Sequence, residues 1–274
     1  MRHELRLFFV ALQFLTRVPV PRWVGFEPAW LQACLRHFPV VGACIGAWAA
    51  AVLLAALWAW PPAVAACLSG AATVWLTGAF HEDGLADTCD GLGGAVSRER
   101  SLAIMKDSRI GSYGAVALVL ALLLKVALVA ALAGQAAGLA AAALVWSHAV
   151  SRAAPVWLVW RLPYAGDAEH AKAKPLATQV GGGGLAVTLV WVLVVSAALL
   201  AAVAWAAPAL ARSAGLAVSL ALAAVAGVTA WCTGWLRRRL GGFTGDTLGA
   251  SQQFTELASL LAWLAVAGAG GPHA

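Results

Sequence analysis

Residues 78–114 read GAFHEDGLADTCDGLGGAVSRERSLAIMKDSRIGSYG. Half of the chain's twelve acids lie in this stretch: Glu82, Asp83, Asp87, Asp90, Glu99 and Asp107. The sequence on either side is almost uniformly apolar, so the acids form an island between hydrophobic spans. Asp83, Asp87 and Asp90 are spaced i, i+4, i+7, which puts three carboxylates on one face of a helix. Unpaired like charges at that spacing destabilise a helix, and a bound cation turns the repulsion into ligation. Oxygen ligands without His or Cys at metal spacing point to Mg²⁺ or Mn²⁺ rather than zinc. Lys106, Asp107, Ser108 and Arg109 follow, two cations and another carboxylate in one short segment. Cations beside a carboxylate-bound metal suit phosphate or pyrophosphate. The competing reading of the island is a solvated, salt-bridged loop.

The rest of the chain fixes the surroundings. Its 274 residues are 62% hydrophobic and only 11% charged, with a mean hydropathy of +0.83. A soluble domain carries about a quarter charged residues, so this is an all-α, polytopic membrane protein. We read residues 1–274 as one membrane-embedded catalytic domain. The net charge of +6 belongs to loop Lys and Arg that orient membrane helices, and nucleic-acid binding is not implied. Residues 4–17 are apolar for too short a run to span and are flanked by arginines, which predicts an interfacial helix ended at Pro19 and Pro21. Seven spans are expected at roughly 38–60, 62–80, 113–133, 137–160, 185–206, 210–234 and 254–270. All but three of the eighteen Lys and Arg then fall on one side. The positive-inside rule puts the N-terminus and every motif loop in the cytoplasm and the C-terminus outside.

Other polar groups concentrate at three places. Residues 237–256 read RRRLGGFTGDTLGASQQFTE, with four glycines around Asp246. Glycines let backbone N–H groups approach an anion, and Asp246 is a candidate metal ligand or base. The alternative is a Gly-rich reversal before the last helix. Within the fourth span, His148 and Arg152 share a face, and an Arg there must reach the bundle interior, a wet cavity or the interface. Residues 163–184 form a loop whose His170, Lys172 and Lys174 are candidates to contact anionic substrate or simply to stay solvated. His81, directly before the acidic helix, is a candidate base or cap. Lys125, in mid-span, has no evident role.

This chemistry suits attack of an alcohol on a metal-bound nucleotide diphosphate, with a nucleoside monophosphate leaving. The CDP-alcohol phosphotransferases do this with a D-x2-D-G … D-x3-D pattern. Asp87, Asp90 and Gly91 resemble its first part, but no D-x3-D follows. A transporter using Arg152, Lys125 and the loop acids is the rival from another class.

A fuller resemblance covers the whole chain. HEDGLADTCDG (81–91), KDSRIGSYG (106–114), LGGFTGDTLGA (240–250) and LQFLTRVPVP (12–21) are similar to motifs of the cobalamin synthase family, in the family's order. Arg152, Pro163-Tyr164-Ala165 and Glu256 also fall where the family has similar residues, whereas Glu82 and the Gln252-Gln253 pair receive no role. These enzymes are also called adenosylcobinamide-GDP ribazoletransferases. The resemblance implies a multi-pass enzyme of the bacterial inner membrane with its active-site loops in the cytoplasm. It implies that adenosylcobinamide-GDP is joined to α-ribazole, or its 5′-phosphate, with Mg²⁺ and release of GMP, alongside other cobalamin-assembly enzymes. On that reading Asp83, Asp87 and Asp90 bind Mg²⁺, with Asp107 or Asp246 completing the site. Lys106, Arg109 and Arg152 hold the pyrophosphate. The base stays open among Asp90, Asp246 and His81.

Overall fold

The computed structural model describes residues 2–166 and 178–269, and every regular element among them is a helix. The candidate contacts His170, Lys172 and Lys174 lie outside the described residues. Helix α1 (Arg2–Leu15) buries Leu7, Val10, Ala11 and Leu15, one stripe at helical spacing. It stops where the Thr16 hydroxyl donates back to the Leu12 carbonyl at 2.7 Å. The Arg17 N–H then donates to the Leu76 carbonyl at 2.8 Å. The N-terminal helix is therefore fastened to the bundle as well as amphipathic.

A short helix α2 (Pro28–Ala33) leads through a 3₁₀ turn into α3 (Phe38–Ala56), and α4 (Pro62–Thr77) returns as the expected hairpin. Pro62 opens α4, where its missing N–H costs nothing. Sequence alone continues this span to residue 80. Instead the chain turns by 89° at Gly78 and Ala79, both left-handed, with φ of 70° and 60°. Ala79 holds a conformation that disfavours a Cβ by about 1–2 kcal/mol. The acidic stretch follows as its own helix, α5 (Phe80–Gly93), which packs against α7 and α12.

After α6 (Arg98–Met105) come α7 (Ser112–Gln135) and α8 (Ala137–Ser151). The expected fourth span breaks at Arg152, and α9 (Ala153–Arg161) starts afresh. Pro155 is the cause: it has no N–H for the Ser151 carbonyl, which instead accepts from the Thr255 hydroxyl at 3.4 Å. Helices α10 (Gly182–Ala206), α11 (Ala211–Leu240) and α12 (Gly245–Ala269) complete the bundle.

The all-α membrane fold stands, and the count of seven spans is not confirmed. Among the described residues, four segments are long and apolar enough to cross a bilayer: 28–56, 112–135, 182–206 and 208–240. The bent pair α4 and α5 makes a fifth if it counts as one span. Helix α12 is long enough, but its first half carries Asp246, Gln252, Gln253 and Glu256. The membrane character itself shows in the surface. Val116, Val119, Leu120 and Leu123 of α7 are all more than half exposed, an i, i+3, i+4, i+7 apolar stripe suited to a lipid environment.

Candidate active site

Close helix crossings build the site. A Cβ at Gly84 of α5 would lie 2.7 Å from the Asp246 carbonyl, and one at Gly249 of α12 would lie 3.3 Å from Gly84 Cα and the His81 carbonyl. Only glycine lets the two backbones approach this closely. The crossing brings Asp83 and Asp87 of α5 and Asp246 of α12 to one cavity of about 570 Å³. Burial, and then the neighbouring Asp83 carboxylate, push the Asp246 carboxyl up to about 6. Its helix begins with a reciprocal cap: Thr244 N–H donates to Thr247 Oγ1 at 2.9 Å, and Thr247 N–H to Thr244 Oγ1 at 3.3 Å. That is capping-box geometry with Thr in place of the usual Glu.

A rim of loops encloses the cavity. Lys106, Asp107 and Ser108, just past α6, line it. Arg98 donates to the carbonyls of Leu240 (2.7 Å) and Ala165 (3.3 Å), and Arg239 donates to the Gly94 carbonyl at 2.7 Å. The Pro163–Ala165 segment runs beside Phe243 as a single parallel bridge, with Phe243 N–H on the Pro163 carbonyl (3.0 Å) and Ala165 N–H on the Phe243 carbonyl (2.8 Å). Gly242 is required there, because a Cβ would sit 2.1 Å from the Pro163 carbonyl.

Two sequence-derived candidates stand apart from the cavity. Arg109 pairs with Asp107 at 2.7 Å, its side chain 87% exposed, and is not part of the lining. Asp90 is likewise absent from the lining. Its two oxygens accept the backbone N–H groups of Gly111 (2.7 Å) and Gly114 (2.8 Å) at the start of α7. A Cβ at either glycine would lie 2.4 Å from a carboxylate oxygen. The structure thus gives Asp90 the part of an anionic cap on a helix N-terminus.

Arg152 and His81 do reach the cavity, both almost fully buried. The remaining wall is apolar, with five aromatic rings in it that sequence reading did not foresee. Phe14 from α1 stacks on Phe38 (6.0 Å, 8°) and meets Phe80 edge-on (5.1 Å, 84°). Tyr164 and Phe243 form a second edge-on pair at 5.6 Å. Phe14 and Tyr164 lie inside the stretches 12–21 and 163–165, so the only forewarning was motif similarity.

The donor set fits a hard divalent cation. Asp83, Asp87 and Asp246 line one cavity, with Asp107 at its rim, where the Asp107 oxygens accept from Arg109. Among the described residues no three acids, His or Cys converge into an all-protein cage. Mg²⁺ is commonly held by one or two carboxylates, with water and substrate phosphate supplying the rest.

With this geometry in view, comparison with known proteins is decisive. The family described as cobalamin-5-phosphate synthase matches residues 7–264. The chain belongs to the cobalamin-5-phosphate synthase family. Proteins named adenosylcobinamide-GDP ribazoletransferase are similar to it over nearly their whole length. The one from Leptothrix cholodnii is 59% identical over 263 residues, covering 96% of each chain. That from Polaromonas naphthalenivorans is 46% identical over 278 residues, covering 94% of this chain and 96% of its own. The Shewanella pealeana protein is 41% identical over 263 residues, 95% of each. No solved structure matches the chain. Family membership turns the cavity of acids, cations and aromatics into a candidate active site of a synthase.

Proposed function

We propose that this chain joins adenosylcobinamide-GDP to α-ribazole, or to its 5′-phosphate, releasing GMP and giving adenosylcobalamin or its 5′-phosphate. The observation that carries this reading is one cavity in which the family's three polar motifs meet: Asp83 and Asp87, Lys106 and Asp107, and Asp246. The reaction forms a bond between the ribazole hydroxyl oxygen and the phosphorus next to cobinamide. It breaks the bond from that phosphorus to the bridging oxygen, which leaves with GMP. Mg²⁺, when bound, would neutralise the diphosphate and stabilise charge on the leaving group.

Asp83 and Asp87 would hold the ion, with Asp107 facing them from the rim. Lys106 and Arg152 would grip the diphosphate oxygens. Asp246, which lines the same cavity as Asp83 and Asp87, would take the hydroxyl proton. His81, fully within the wall, would orient the neighbouring groups. Asp90 would act at one remove, by fixing α7 and the 106–111 segment. The aromatic pairs Phe14–Phe38 and Tyr164–Phe243 suit the flat bases of the two substrates. The acids gather at one end of the bundle, which favours chemistry at a membrane surface over a path through it.

The test is GMP release by detergent-purified protein given adenosylcobinamide-GDP and α-ribazole, with and without Mg²⁺. The expected result is metal-dependent GMP with a matching corrinoid product. Folded, lipid-supplied protein that makes neither would overturn the reading, and CMP release from a CDP-alcohol would replace it with the lipid-enzyme alternative.

A further inference from the structure

Behind the cavity runs a line of buried polar groups for which the reaction has no direct use. Lys125 of α7 forms an ion pair with Glu256 of α12, their side chains 8% and 1% exposed. Two connections lead from Glu256 to Arg152. In the first, the His148 ring lies between them, its Nδ1 3.4 Å from Glu256 Oε2 and 3.3 Å from Arg152 Nη1. In the second, the Gln252 amide donates to Glu256 Oε2 and, at 3.0 Å, to Ser151 Oγ, on the residue just before Arg152 at the helix break. Gln252 in turn accepts from Gln253, whose amide also donates to Glu82 of α5 at 3.1 Å, next to Asp83.

The charge pattern gives this line a purpose. Arg152 Nη1 donates to the His148 carbonyl at 2.7 Å, yet its Nε is buried and has no partner. Among the described residues Arg152 is in no ion pair with a carboxylate, although it is 1% exposed and lines the cavity. Burying an unpaired guanidinium is costly unless an anion completes it. Glu256 and Glu82 lie near enough to favour the charged guanidinium but neither pairs with it directly, and Glu256 is itself paired with Lys125, so Arg152 keeps donors for an anion in the cavity.

We infer that Glu256 is a positioning residue: paired with Lys125, it fixes Arg152 through His148 and through Gln252–Ser151 in the orientation that binds the substrate's diphosphate. The inference rests on the reading of Arg152 as a diphosphate-binding cation. Glu256 touches no substrate and acts only through Arg152.

A double-mutant cycle tests this on the full chain in detergent with lipid and Mg²⁺. The readouts are GDP affinity without acceptor and kcat/KM for GMP release. Glu256→Gln is expected to weaken both about tenfold, and Arg152→Gln more. Added to Arg152→Gln, Glu256→Gln should change either value less than twofold, because its partner is already gone. The same tenfold loss in both backgrounds would overturn the inference.

Glu256→Gln alone leaves Lys125 buried and unpaired, so Lys125→Met/Glu256→Gln, which removes both charges, is run through the same cycle. If that pair melts like wild type and binds GDP undiminished, Glu256 is structural only. If neither variant yields folded protein, Glu256 is likewise assigned to stability. Wild-type GDP binding without GMP release would sink the proposed reaction and leave the cycle readable. Absence of GDP binding would sink both.

Discussion

Asp87 and Asp90 are three residues apart on one helix, and the structure separates their work. Asp87 faces the cavity. Asp90 accepts two N–H groups from the start of α7. Replacing Asp87 with Asn removes a charge where, in the proposed reaction, a cation and a diphosphate would be held together. Turnover in saturating Mg²⁺ should fall by about 100-fold or more, with little change in the melting temperature. Asp90→Asn should do the reverse. It weakens two charge-assisted bonds and aims an amide at a backbone N–H, costing about 1–3 kcal/mol. We expect a lowered melting temperature and, in the protein that remains folded, Mg²⁺ dependence like wild type. Thermal melts and Mg²⁺ titrations of the two variants check this, and an Asp90→Asn chain whose Mg²⁺ requirement shifts would return Asp90 to the metal. The i, i+4, i+7 spacing revealed the shared face of these acids. It could not reveal that Gly111 and Gly114 take the third carboxylate, because that contact depends on where α7 begins in space. Lys125 was opaque for the same reason: its partner Glu256 lies far along the chain, on another helix.

Between elements, the decisive contact is the crossing of α5 and α12. Gly84→Ala would place a methyl group 2.7 Å from the Asp246 carbonyl. Backbone cannot yield as a side chain does, so the helices must separate or slide. A shift of about 1 Å is enough to cost on the order of 100-fold in rate. We expect Gly84→Ala to lower kcat while the chain still inserts and purifies. Gly70→Ala, with nothing within 4 Å of its new methyl, should be silent in the same assay. Equal activity of the two variants would show that the crossing does not set the site. Element order and the α3–α4 hairpin followed from hydropathy and from Pro61 and Pro62. The two breaks did not. Gly78 and Ala79 turn the chain inside an apolar run, and Pro155 interrupts what hydropathy reads as one span. Both breaks serve the site, the first turning α5 so that Asp83 and Asp87 line the cavity and the second bringing Arg152 to it. Helix α1 also does more than its amphipathic pattern suggests, since Phe14 reaches the lining. Phe14→Ala should raise KM for α-ribazole or for the nucleotide substrate several-fold, with kcat nearly kept, as expected when ground-state and transition-state contacts are lost alike.

At the scale of the whole molecule, Lys and Arg mark one end, whereas exposed aromatics occur at both, Trp23, Phe26 and Tyr113 among them. Arg98, Lys106, Arg109 and Arg239 belong to the end that holds the cavity, by their bonds and lining positions. Trp58 (94% exposed) and Trp60 (51%) sit at the α3–α4 hairpin, and Trp205 (89%) at the α10–α11 turn. Exposed Trp is at home at the membrane–water interface, and Lys and Arg favour the cytoplasmic side. The cavity is therefore expected to open to the cytoplasm, where water-soluble substrates would arrive, with both Trp-bearing turns on the far side. Single cysteines at Glu99 in α6 and Ser213 at the start of α11 put this to the test, since both positions are exposed. An impermeant maleimide applied to intact cells should label Ser213→Cys above the background of the native thiols and leave Glu99→Cys unlabelled until the cells are opened. The opposite pattern would turn the molecule over. It would place the acids outside, where no nucleotide pool would reach them, and the proposed reaction would lose its site of supply.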